Sequence, residues 1–114
     1  MARILAFVPD LLFGSNVVGA FKAAGHDVEL VSNLASCPPI DSFDLLVVDL
    51  TADAQRRIDI VKAREQRTRS LAFYSHVEAD VRESAISAGF DLVVPRSRMA
   101  REGPLLANRL LERG

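Results

Sequence analysis

Leu45-Leu46-Val47-Val48-Asp49 decides how this chain is read. Four consecutive large apolar residues followed by a carboxylate do not alternate, so a strand built from them is covered on both faces and ends at a polar edge. Outward from this stretch, apolar runs recur at residues 4–8 and 28–31 before it, and at 71–74 and 92–94 after it. Five short strands separated by helix-length spacers predict an α/β fold: a single doubly wound open sandwich around a five-stranded parallel sheet. Parallel strands require crossovers, and right-handed ones are the near-universal solution.

The spacers carry helical signals. Val17, Val18, Phe21 and Ala24 recur at three- and four-residue steps and predict a helix over 14–24, stopped by Gly25. Ala54, Ile58, Ile60 and Val61 predict another over 53–65, with Arg56, Arg57, Asp59, Lys62 and Arg64 mostly on its solvated side. Ser75 and Glu78 read as a capping box ahead of a helix over 77–88 that ends at Gly89. Pro104 suits the first turn of a last helix beginning near Glu102 or Gly103, with Leu105, Leu106, Leu110 and Leu111 as its apolar face. Between the second and third strands, Pro38-Pro39 forbids an ordinary helix, so residues 32–44 are expected to form a short irregular or one-turn element.

Composition bounds the function. The 114 residues suit one domain over 1–114, and 49% of them are hydrophobic. With 14 Lys and Arg against 15 Asp and Glu, the net charge of -1 argues against a strongly basic nucleic-acid binder. The single Cys37 excludes an internal disulfide framework and a cysteine-based zinc site. No stretch approaches the roughly 18 apolar residues of a membrane span, and the residues after Arg3 lack a signal-peptide pattern. A cytoplasmic domain without membrane or nucleic-acid contacts is expected.

In a doubly wound fold the strand ends gather on one edge, and ligand sites form there. That edge should collect Asp10, Asp49, Thr51, Ser75, His76, Arg96 and Arg98.

The residues along this edge resemble the receiver domain of two-component response regulators, which has a flavodoxin-like (CheY-like) fold with strand order 2-1-3-4-5. Val47-Val48-Asp49 is similar to the third strand with its phospho-accepting aspartate. Phe73-Tyr74-Ser75 resembles the fourth strand with its Ser/Thr switch residue. Ala85-Ile86-Ser87-Ala88-Gly89 resembles the family's Ala-x-x-Ala-Gly run, and Arg96 stands seven residues beyond Gly89, where receivers place a lysine. The resemblance covers essentially the whole chain and implies Asp49 as the candidate phospho-acceptor.

The departures are equally specific. Val8 and Pro9 occupy the positions of the acid pair that holds Mg²⁺ in receivers, and Asp10 comes one residue late. Leu50-Thr51-Ala52-Asp53 lacks the Met-Pro and glycine that follow the family's aspartate. Arg96 replaces a point charge by a planar fork, and Pro95 precedes the cation instead of following it. Asp10 and Asp49 remain weak candidates for Mg²⁺, and no other metal or cofactor is expected. Without a shared dication, Asp49 is expected to pair with Arg96, or with Arg98. The chain therefore reads as a degenerate, non-enzymatic pseudo-receiver acting through protein partners. A homodimer through the fourth helix, fifth strand and fifth helix is one candidate assembly. The alternatives are a phospho-accepting receiver using Asp49 and a binder of a small anion or nucleotide.

Other candidates carry bland readings beside functional ones. Gly14, Ser15 and Asn16 precede the predicted first helix and could form an anion site, although Ser15 or Asn16 as an N-cap explains them more simply. Ser75-His76 lacks a nucleophile-elbow context, so a catalytic pair is not expected. His26 reads as a turn residue. Cys37 has no cationic neighbour in sequence to activate it. Arg96, Ser97, Arg98 and Arg101 form a compact basic segment that reads equally as an anion site, a protein contact or a solvated loop.

Overall fold

A computed structural model describes residues 2–34, 37–63, 68–75 and 79–112. The elements run β1 (Arg3–Phe7), α1 (Leu11–Ala23), β2 (Asp27–Val31), a 3-10 turn (Ile40–Ser42), β3 (Leu45–Asp49), α2 (Ala54–Ala63), β4 (Arg69–Tyr74), α3 (Ala79–Ser87), β5 (Leu92–Pro95) and α4 (Arg96–Glu112). All five strands pair in parallel, in the order β2-β1-β3-β4-β5. This is the expected flavodoxin-like architecture.

The unbroken apolar runs build two cores because alternate residues of each strand leave opposite faces of the sheet. On one face Leu5, Phe7, Leu46, Val48 and Ala72 pack with Ile58 and Val61 of α2 and Val81 and Ala85 of α3. On the other, Ile4, Ala6, Leu45, Val47 and Phe73 pack with Val17 and Phe21 of α1 and Met99, Leu106 and Leu110 of α4. The β2–β3 connection carries the 3-10 turn after the paired prolines, and buried Leu34, Ile40 and Phe43 fill the space beside α2. Gly25 and Gly89, at φ 92° and 103°, end α1 and α3 in a conformation that costs a side chain dearly.

Two helix starts differ from expectation. α1 begins at Leu11, not Gly14, because Asp10 is its N-cap: the carboxylate Oδ1 accepts from Phe13 N at 3.0 Å. Gly14 thus lies inside α1, where a Cβ would stand 3.0 Å from the Val8 carbonyl oxygen; the missing side chain lets the helix settle against the tip of β1. α4 begins at Arg96, directly after Pro95, so Pro104 sits within the helix and not in its first turn. Buried Met99 anchors the added turns to the core. Ala100, whose carbonyl loses its helical donor at Pro104, is exposed and can be hydrated. His76, Glu78 and Arg64 lie outside the described residues, as does half of the proposed capping box.

At the end of the sheet away from the strand tips, polar clasps close the structure. Asp91 Oδ2 accepts from Ser70 N at 2.8 Å while Ser70 Oγ accepts from Asp91 N at 3.2 Å, which satisfies a buried hydroxyl. His26 is a structural bridge: Nδ1 accepts from Ala2 N at 3.1 Å, which leaves Nε2 to donate to Asn108 Oδ1 at 3.0 Å. No described helix is long and apolar enough to cross a membrane.

Candidate functional site

Asp49 ends β3 with 4% of its surface exposed, and Asp49 and Ser70 are the buried polar residues of the described core. A carboxylate in that position must be compensated. Two groups of Thr51 do part of this: its N–H and its hydroxyl both donate to Asp49 Oδ1, at 2.8 and 2.5 Å. The cation beside it is Arg57. The Arg57 guanidinium lies 4.0 Å from Asp49 Oδ1 and donates to the Asp49 carbonyl oxygen at 2.9 Å, while stacking 4.9 Å from the Phe7 ring centroid. Its side chain is 14% exposed.

The expected ion pair between Asp49 and Arg96 or Arg98 is therefore not formed. Arg96 instead lies over the Phe13 ring, 4.3 Å from its centroid, and its Nη2 reaches Asp10 Oδ2 at 3.4 Å. The reason is geometric: the first turn of α1 brings Asp10 and Phe13 together beside the first residue of α4. Both members of this pair are about half exposed. Arg98 is directed to Glu102 one turn along α4, at 3.3 Å, and Arg101 approaches the same carboxylate at 3.9 Å. The basic segment is thus the start of a helix, not a loop.

The expectation for Gly14, Ser15 and Asn16 is also corrected. They lie within α1, Gly14 N donates to Asp10 O at 2.7 Å, and their N–H groups belong to the helix instead of an anion site. Neither Ser15 nor Asn16 is the N-cap. Thr51, Ser75, Arg96 and Ser97 do converge, with Phe13, around an open cleft of about 490 Å³ at the strand tips. Asp49 is absent from the lining of that cleft. Cys37 donates to the Leu34 carbonyl.

Asp10 and Asp49 are put to separate uses. Phe7 pairs with Val48, so buried Val8, the residue just past β1, is next in line with Asp49, and Asp10 lies beyond it as a helix cap. Among the described residues, no group of three or more His, Cys, Asp or Glu side chains is placed to hold a metal ion.

Arg57 is the residue that sequence reasoning placed wrongly, on the solvated side of its helix. The available signal was its spacing, three residues after Ala54 and four before Val61, which puts it along the flank of the apolar stripe.

No protein-family model matches the sequence, and no curated protein matches it. Its fold is similar to solved response-regulator structures. The receiver domain of the TMAO respiratory system regulator TorR superposes with a TM-score of 0.87 at 17% identity, covering 99% of this chain and 98% of that one. The non-phosphorylated HemR receiver domain from Leptospira biflexa gives 0.80 at 19% identity over 97% and 94%. The Francisella response regulator 1452 receiver domain gives 0.81 at 14% identity over 99% and 98%. The strand order and the helices around the sheet agree with these likenesses: the chain has the response-regulator receiver fold.

Proposed function

We propose that this chain is a pseudo-receiver: a signalling module that acts through protein–protein contacts and does not transfer phosphoryl groups. The observation that carries this reading is how Asp49 is held. One of its oxygens accepts both donors of Thr51, and Arg57 supplies the neighbouring positive charge. Magnesium-dependent phosphotransfer needs several oxygen ligands turned onto one ion beside the acceptor. Here Val8 is next in line with Asp49, while Asp10 caps α1 and pairs with Arg96. That donor set does not fit a magnesium site.

A fixed carboxylate–guanidinium arrangement would hold the surface of α3, β5 and α4 in one state for a protein partner. Ile86 on α3 and Leu105 on α4 are 47% and 49% exposed and offer apolar contact. A second copy of the chain is one such partner; light scattering after size exclusion tests it, and a strict monomer removes the homodimer.

The test of the main reading is incubation with acetyl phosphate and Mg²⁺, followed by intact mass. The protein is expected to stay unmodified. A stoichiometric phosphoryl adduct that disappears in Asp49→Asn would overturn the reading. One observation favours that second possibility: Asp49 Oδ2 accepts no hydrogen bond among the described residues.

A further inference from the structure

A second cleft, of about 480 Å³, opens where the tips of β1 and β2 face the start of α2. Its apolar wall includes Phe7 and Ile60, and its polar wall includes Asn33, Asp53, Arg56 and Arg57. Two guanidinium groups from one helix turn thus meet an aromatic and an aliphatic side chain across a single open space.

The two cations differ in what already holds them. Arg57 is held by the Phe7 ring and, through Nη1, by a hydrogen bond to the Asp49 carbonyl and the Asp49 carboxylate 4.0 Å away, so its Nε and Nη2 donors are the ones that make no hydrogen bond among the described residues. Arg56 is exposed, and its side chain makes no ion pair or hydrogen bond among the described residues. Arginine forks match the paired oxygens of phosphate, and an adjacent apolar wall adds hydrophobic contact for an organic body. Asp53 contributes an opposing carboxylate at the same cleft and disfavours a bare anion that would gain nothing from Ile60.

From this arrangement the geometry points to a binding site for a phosphate monoester that carries an apolar group, with Arg56 and Arg57 on the phosphate, Ile60 against the body, and buried Phe7 as the floor on which Arg57 rests. The site is separate from the cleft bounded by Thr51, Ser75 and Arg96. Because Arg57 also holds the Asp49 carbonyl, an anion bound here acts directly on the tip of β3. That consequence rests on the pseudo-receiver reading, whereas binding itself does not.

The experiment is a titration of the protein with phenyl phosphate, followed by amide chemical shifts in two-dimensional NMR spectra. Saturable shifts are expected at Asn33, Asp53 and Arg57. Arg56→Ala, an exposed substitution, should keep the dispersed spectrum and weaken binding roughly tenfold, the loss of one charge-assisted contact. Arg96→Ala should leave the affinity within about twofold, since one tenfold step is a full lost contact. The proposal is overturned by any of four results: no saturable shift, shifts centred on Thr51 and Ser97, an Arg56→Ala affinity equal to wild type, or benzamidine binding the cleft more tightly than phenyl phosphate. The last would mean that Asp53 dominates. Acetyl phosphate labelling is read independently by mass, so failure here leaves the pseudo-receiver reading standing.

Discussion

Replacing Arg57 by Met should destabilise the protein far more than replacing Arg96 by Met. In Arg57→Met the buried Asp49 loses the cation 4.0 Å away and its carbonyl loses a 2.9 Å donor. A unit-charge pair at that distance interacts by about 4 kcal/mol at an effective dielectric constant of 20, before the cost of desolvation is subtracted. Two donors from Thr51 remain on the carboxylate and the Arg57 side chain is partly hydrated, so a net cost of roughly 2–3 kcal/mol is expected. Arg96→Met breaks a contact between two half-exposed groups, which typically contributes about 0–1 kcal/mol. Urea denaturation followed by circular dichroism measures both. A double-mutant cycle of Arg57→Met with Asp49→Asn should show coupling of about 1 kcal/mol or more, as expected for contacting charges. If Arg96→Met proves the costlier change, or if Arg57 and Asp49 behave additively, the assignment of Arg57 as the counter-ion is wrong.

Gly14→Ala should lower stability by about 1–3 kcal/mol despite alanine's better helix propensity, because the added Cβ would press on the Val8 backbone oxygen at 3.0 Å. Denaturation midpoints check this, and a stabilised variant would show that α1 moves freely over β1. On α4, Leu106→Ala should cost roughly 2–5 kcal/mol since its side chain is fully buried, whereas the adjacent half-exposed Leu105→Ala should stay within about 0.5 kcal/mol in a monomer. Similar losses at both positions would place Leu105 in a buried interface.

The architecture was legible because its determinants are local. Residues 45–48 form an apolar run with a charged stop, and four similar runs in regular alternation with helical spacers leave few topologies. Pro38-Pro39 likewise predicts, from backbone chemistry alone, the 3-10 turn that stands in place of an ordinary helix among the described residues between β2 and β3. The start of α1 was misread because Ser15 and Asn16 are good caps by type. Asp10 prevails because its carboxylate reaches Phe13 N while Gly14 allows the helix to pack closely on Val8.

The pairing of charges at the strand tips belongs to the tertiary structure. Sequence reasoning supplies Asp49 as a carboxylate at the polar end of a buried strand, with Asp10, Arg96 and Arg98 on the same edge. It does not rank the cations, because several basic residues come near that edge and the winner depends on helix rotation and side-chain reach. Only folding places Arg57, along the flank of α2, across Phe7 and onto the Asp49 carbonyl, and stacks Arg96 on Phe13 beside Asp10. Apolar periodicity is written into neighbouring residues, whereas the partner of a buried charge is chosen by distances of a few ångströms between elements far apart in the chain.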